Sequence, residues 1–313
     1  MIEEDTVFIL GAGASCPYGF PDGDQLAQKI CSNLIGDIEQ LYQQNDFVEM
    51  DYKQAIEHSQ VFINKFSKAD MSIDLFLSLN NEFMDMGKSA IIFRILEAEK
   101  NSKFRNDMVK KEHDWYSRIK NKLIEGITKK DDYYRISENK VTFITFNYDR
   151  SFEYFLHESF LNSFHKIPED KINEKLRKIN IIHLFGQIGG LKWQNMDLTN
   201  EYRTNPYTVD LAKLSQNIDI IYEKEHSPLL KEAREQISKA VNIFFLGFGY
   251  APENVKLLEI PKILNNNQII YGTGYQLYIE EIEKYERILN PYSMAGRMYI
   301  EPCDCVELLR KYL

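Results

Sequence analysis

The chain has 313 residues, of which 44% are hydrophobic, and carries 47 Asp and Glu against 38 Lys and Arg, a formal net charge of −9. That much apolar side chain supports one large α/β domain with insertions, or two domains, and excludes disorder as the main state. The acidic balance argues against a bare nucleic-acid binder, since neutralising phosphates needs a clustered excess of Lys and Arg. Short basic stretches such as Lys110-Lys111 and Lys129-Lys130 read as solvated helix faces.

The acidic start, Met1-Ile2-Glu3-Glu4-Asp5, leads directly into an apolar run and reads as neither a signal peptide nor a transit peptide. No apolar run approaches membrane-spanning length. Cys16, Cys31, Cys303 and Cys305 form no C-x-x-C pair, so neither a disulfide framework nor a zinc site is expected, and a reducing cytoplasm is the expected location.

Thr6 to Leu10 reads as a buried strand, and the stretch "TVFILGAGASCPYGFPDG" at 6–23 cuts it off with Gly11-Ala12-Gly13. Glycines at the carboxyl end of a parallel strand let backbone approach a pyrophosphate, and the following helix offers free N–H groups. The match to G-x-G-x-x-G is incomplete, because Cys16 stands where the third glycine would fall and no acidic residue ends a second strand at the expected distance. An ordinary nicotinamide dehydrogenase is therefore disfavoured, and a tight strand-to-helix turn without a ligand stays open as an alternative.

From 23 to 139 the periodicity is helical almost throughout, as in "DQLAQKICSNLIGDIEQLYQQ" and "MSIDLFLSLNNEFMDM", and no strand stands out. This is read as a helical insertion into a nucleotide fold formed by 1–22 and 140–313. Later strands are expected at 141–146, 180–184, 243–247, 268–271 and 297–300, with a second helical stretch at 210–240. Such alternation predicts a mostly parallel, Rossmann-like sheet with helices on both faces.

Three further stretches fall where strands should end: "FITFNYD" at 143–149, "IIHLFGQIGG" at 181–190 and "FFLGFGY" at 244–250. Singly, Asn147-Tyr148-Asp149 reads as a helix N-cap, His183 as a core histidine bonded to a backbone carbonyl, and Gly247-Phe248-Gly249 as another tight turn. Together and in this order the stretches resemble the sirtuin family, and within it the bacterial sirtuin-like NAD hydrolases of anti-phage defence systems. The resemblance covers about residues 5–23 and 140–301. It implies that Gly11-Ala12-Gly13-Ala14-Ser15 is a phosphate loop and that Gly19-Phe20-Pro21-Asp22 opens a mobile cofactor loop. It implies further that Asn147 holds the nicotinamide-side ribose, with Asp149 and Gly186 beside it, and that Gly247, Gly249 and Tyr250 line the adenosine half. Ser72-Ile73-Asp74 is similar to a stretch common in the defence proteins, which gives Asp74 a supporting role.

Such a site suits cleavage of the nicotinamide glycosidic bond, whose oxocarbenium-like centre needs the ribose hydroxyls fixed, bulk water excluded and one nucleophile admitted. An asparagine amide can donate to and accept from a ribose hydroxyl, and a histidine can take a proton from the ribose or the attacking water. The chain departs from the deacetylases of the family in lacking the paired cysteines of their zinc module, which leaves water as nucleophile and no metal. It departs again at Phe185, where the family places its catalytic histidine. Residues two apart in a strand share a face, so His183 is expected to look to the same side as Phe185 and to replace that histidine. The implied activity is NAD hydrolysis to nicotinamide and ADP-ribose, depleting NAD on infection. It would be controlled by oligomerisation or by a partner such as a HerA-like translocase ATPase, an Argonaute or a phage protein. The alternative is a non-catalytic subunit that senses NAD or ADP-ribose.

Overall fold

The structure is a computed structural model that describes residues 1–44, 51–104, 109–220, 227–291 and 297–313. Its strands are β1 (Thr6–Leu10), β2 (Val141–Thr145), β3 (Asn180–His183), β4 (Asn242–Leu246), β5 (Ile269–Thr273) and β6 (Arg297–Glu301). They form one six-stranded sheet, every pairing parallel, in the order β3-β2-β1-β4-β5-β6. β1 and β2 are buried at all five positions, as expected of short runs of β-branched and aromatic residues covered on both faces. β1 sits at the centre, in register with β2 through Thr6–Val141 and with β4 through Thr6–Asn242. The winding reverses between β1 and β4, which makes the gap between their carboxyl ends the topological switch point.

The helices are α1 (Gly23–Gln44), α2 (Tyr52–Phe66), α3 (Ile73–Leu79), α4 (Met84–Lys100), α5 (Trp115–Leu123), α6 (Ser151–Ser163), α7 (Glu169–Leu176), α8 (Leu211–Ser215), α9 (Pro228–Lys239), α10 (Pro252–Leu257), α11 (Ile260–Ile263), α12 (Ile279–Leu289) and α13 (Cys305–Tyr312). Aromatic side chains tie one sheet face to its cover. Phe8 stacks on Phe143 at 5.1 Å and on Phe244 at 5.0 Å, and Phe152 of α6 reaches Phe143 at 4.6 Å. Trp115 of α5 stacks on Phe152 at 5.5 Å, and Tyr312 of α13 lies 4.5 Å from Tyr271. These ring pairs add to the area they bury.

Among the described residues the segment between β1 and β2 contains helices and turns and no strand. Its apolar stripes join the same buried cluster as the sheet: Leu26, Ile30 and Leu34 of α1 and Phe62 of α2 belong to it, as do Ile91, Ile92 and Leu96 of α4. The stretch expected to be helical over 210–240 is not one helix. α8 stops at Ser215, where Asp219 N–H turns to the carbonyl of Phe185 at 2.9 Å and Ile218 forms an isolated antiparallel bridge with Gly186. Those bonds replace the helical ones; residues 221–226 lie outside the described residues, and α9 restarts with Pro228 after the Ser227 cap. No helix among the described residues is long and apolar enough to cross a membrane.

Candidate functional site

The loop after β1 and the loop after β4 meet at the switch point and are joined backbone to backbone. Gly11 N–H donates to Leu246 O and Gly13 N–H to Gly247 O, both at 3.1 Å. A Cβ on Gly11 would stand 2.4 Å from Gly247 O, and one on Gly247, whose φ is +54°, would stand 2.0 Å from Ala14 N. Only glycine permits this approach. The amides of Ala14 and Ser15 bond to Gly11 O and Ala12 O within the turns. The amides of Gly11, Gly13, Ala14 and Ser15, donors that a phosphate would use, are thus engaged inside the protein in this arrangement.

Farther along, Phe20 and Pro21 are buried, and Asp22 accepts a 2.8 Å bond from Gln25 N–H, so that it caps α1. Gly249 is exposed with open space where a Cβ would go, whereas Tyr250 is fully buried and its hydroxyl donates to Thr273 O at 3.0 Å.

Asn147 stands just past the end of β2. Its amide Nδ2 donates to Gly11 O and to Ser15 Oγ, each at 3.0 Å. Ser15 Oγ donates to Asp149 Oδ2 at 2.8 Å, and Asp149 also accepts from Ser151 N–H at 3.0 Å and from the Ser151 hydroxyl. Because Ser151 donates to Asp149, Tyr116 OH is the donor in the 2.6 Å contact with Ser151 Oγ. Burial pushes the Asp149 carboxyl above its usual range, and the bonds from Ser151 and Ser15 oppose that. Asp74 joins this group through Tyr148, whose hydroxyl lies 3.0 Å from Asp74 Oδ1 and 3.0 Å from Asp219 O.

His183 ends β3 facing α6. Its Nδ1 donates to Asn147 O at 3.0 Å, and its Nε2 lies 2.5 Å from Oε1 of Glu153, a carboxylate only 2% exposed. Burial pulls the imidazole pKa down, but the Glu153 charge and the Asn147 carbonyl outweigh it and hold the ring above the ordinary histidine range. Both nitrogens are occupied, and the Glu153 carboxylate favours the protonated ring. Phe185 does not share its side. The strand stops at His183, the chain turns at Gly186 (φ +75°), and the Phe185 ring packs on Phe146 at 5.8 Å. Phe146 in turn meets Phe248 at 5.3 Å on the opposite face of the sheet. The expectation that residues 183 and 185 share a face fails because strand alternation ends two residues too early.

Between these groups lies a cavity of about 10 Å³ whose lining includes Ser15, Asn147, Asp149, Glu153 and His183. That is room for one water at most. Sequence reading missed Glu153 and Ser151; both lie within "RSFEYF", directly after Asp149, in the first turn of α6. It also missed Arg150, fully buried, whose guanidinium forks onto both oxygens of Glu99 at 3.0 and 2.9 Å. The same group binds the carbonyls of Gly189, Gly190, Asn200 and Glu201, and so pins the loop after β3.

The sheet order and the placement of these loops define a Rossmann-like, doubly wound α/β protein. No protein-family model matches the chain, and no curated protein matches it either.

Proposed function

We propose that the protein is a sirtuin-like NAD hydrolase, a cytoplasmic anti-phage effector that splits NAD into nicotinamide and ADP-ribose. One observation carries the reading: four stretches far apart in sequence, 11–22, 147–153, 183–190 and 247–250, converge at the carboxyl ends of the strands around the β1/β4 switch point, where doubly wound sheets bind their ligands. On this reading the 11–15 and 247–250 loops part to admit the pyrophosphate. Asn147 then turns its amide from Gly11 and Ser15 to the ribose hydroxyls. The His183–Glu153 pair, once it has lost its shared proton, takes one from the attacking water as the glycosidic bond breaks and nicotinamide leaves with the bonding electrons. The products are nicotinamide, ADP-ribose and a proton.

A second reading, a non-catalytic sensor of NAD or ADP-ribose, is favoured by two features. Both His183 nitrogens are already engaged, and Phe185 stands where the family has its histidine. Under the hydrolase reading the proposal includes control by self-association or by a partner such as a HerA-like ATPase, an Argonaute or a phage protein, since constant NAD loss would be toxic; under the sensor reading such an assembly is what receives the signal. Incubation of the purified protein with NAD, with and without those partners, followed by chromatography for nicotinamide and calorimetry for binding, decides. Nicotinamide release supports the hydrolase, tight binding without release supports the sensor, and neither binding nor release refutes both.

A further inference from the structure

A cleft lined by α5 and the end of α13 lies away from the switch point. It measures about 950 Å³ and follows the outward stripe of α5, where Asp114, Ser117, Arg118, Asn121, Lys122 and Glu125 recur at helical spacing. Lys103, Lys111 and Arg310 also line it, with Phe104, Phe155 and Leu309 supplying apolar wall. Among the side chains that line it, five cations therefore meet two carboxylates in a chain whose net charge is −9.

Both carboxylates are already engaged. Asp114 accepts from Tyr18 OH and from Ser117 N–H, each at 3.1 Å, and Glu125 is paired with Lys122 at 2.9 Å and with the Met1 ammonium at 3.3 Å. Lys103, Lys111, Arg118 and Arg310 have no ion-pair partner among the described residues. Arg118 is partly buried, and its proton affinity is lowered first by that burial and then by the charge of Arg310. Like charges brought together on packed helices without a counter-charge repel one another, and an anion between them removes the repulsion.

We propose that this cleft is a second ligand site, separate from the switch point, for a phosphate-bearing anion of nucleotide size. The volume falls within the range of small-molecule sites. Arg118 and Arg310 supply forked donors for phosphate oxygens, the exposed Lys103 and Lys111 add charge at the rim, and the half-buried Phe104 and Phe155 give apolar wall for a base to lie against.

The test is calorimetric titration of the full chain with inorganic tripolyphosphate and, separately, with ATP. Both should bind, and R118A/R310A should weaken both by at least about tenfold, the scale of one or two lost charge-assisted contacts. Tighter binding of ATP identifies a nucleotide as the ligand, and tighter binding of tripolyphosphate a ligand without a base; either result supports the site. K103A/K111A, at exposed positions that leave α5 and α13 intact, should weaken binding if the Arg variant proves unstable. Lys239→Ala, which removes a cation on α9, should leave binding unchanged. The proposal is overturned if neither anion binds, or if both Arg and Lys variants bind as the parent does.

Discussion

The contact between the two glycine loops allows a sharp test with Gly11→Ala. The added methyl would sit 2.4 Å from Gly247 O and 2.8 Å from Phe248 Cα, both backbone atoms that no rotamer change can move. Restoring an ordinary 3.4 Å contact requires the loops to separate by 3.4 − 2.4 = 1.0 Å. A shift of that size strains the core and stretches the Gly11–Leu246 and Gly13–Gly247 hydrogen bonds. Overpacking of about 1–3 kcal/mol, added to partial loss of two bonds of ~0.5–1.5 kcal/mol each, gives an expected destabilisation of about 2–4 kcal/mol. Gly249→Ala is the control: open space surrounds that position, so its stability should lie within about 0.5 kcal/mol of the parent. Urea unfolding followed by far-ultraviolet circular dichroism measures both. If Gly11→Ala unfolds within about 0.5 kcal/mol of the parent, the packing account of the glycines is refuted. The two loops would then already be free to part.

Under the proposed hydrolase activity Asn147→Ala should cut NAD turnover on the order of a hundredfold, and under any reading it should loosen the 11–15 loop, whose Gly11 O and Ser15 Oγ it holds; steady-state kinetics beside a denaturation curve separate the two effects. Because the folded pKa of His183 is raised, its ion pair stabilises the fold fully below about pH 6.5 and loses that contribution as pH rises through the raised value, so a urea midpoint falling toward alkaline pH in the parent should flatten in His183→Phe. The same shift predicts that hydrolysis, if His183 is the base, increases as pH rises through that range, and a rate that falls instead removes His183 from the role. Arg150→Met should cost about 3–5 kcal/mol by leaving the Glu99 carboxylate buried without its cation, and adding Glu99→Leu should recover part of the loss in the same unfolding assay.

Every strand of the sheet was legible in the sequence to within a residue or two, because runs such as "TVFIL" and "NIFFL" are short, apolar and ended by glycine. The convergence of 11–22, 147–153 and 247–250 followed from topology, since parallel strands place their following loops at one edge. What stayed hidden was tertiary. The carboxylate that holds His183 comes from α6, on a face that periodicity could not aim, and Arg150 finds its partners on α4 and in the loop after β3. The glycines carry a double meaning for the same reason. Gly11 and Gly247 satisfy the pattern of a phosphate loop, yet each has the backbone of the facing loop as its neighbour in space, Gly247 and Phe248 for the first and Gly13 and Ala14 for the second, which no local spacing reveals. Strand alternation misled at residues 183 and 185 because it says nothing of where a strand stops.

The central position of β1 has a consequence for how the chain is made. Its two neighbours are encoded far downstream: Thr6 pairs with Val141, 141 − 6 = 135 residues later, and with Asn242, 242 − 6 = 236 residues later. At about 5–20 residues per second of synthesis, the strand waits roughly 10–50 s for its second partner. Throughout that interval Thr6 to Leu10 is an uncharged, β-prone segment with both edges open, the kind of sequence that pairs with copies of itself. The acidic run Glu3-Glu4-Asp5 lies directly against it, the position of a gatekeeper, where like charge on two chains opposes their pairing through this segment.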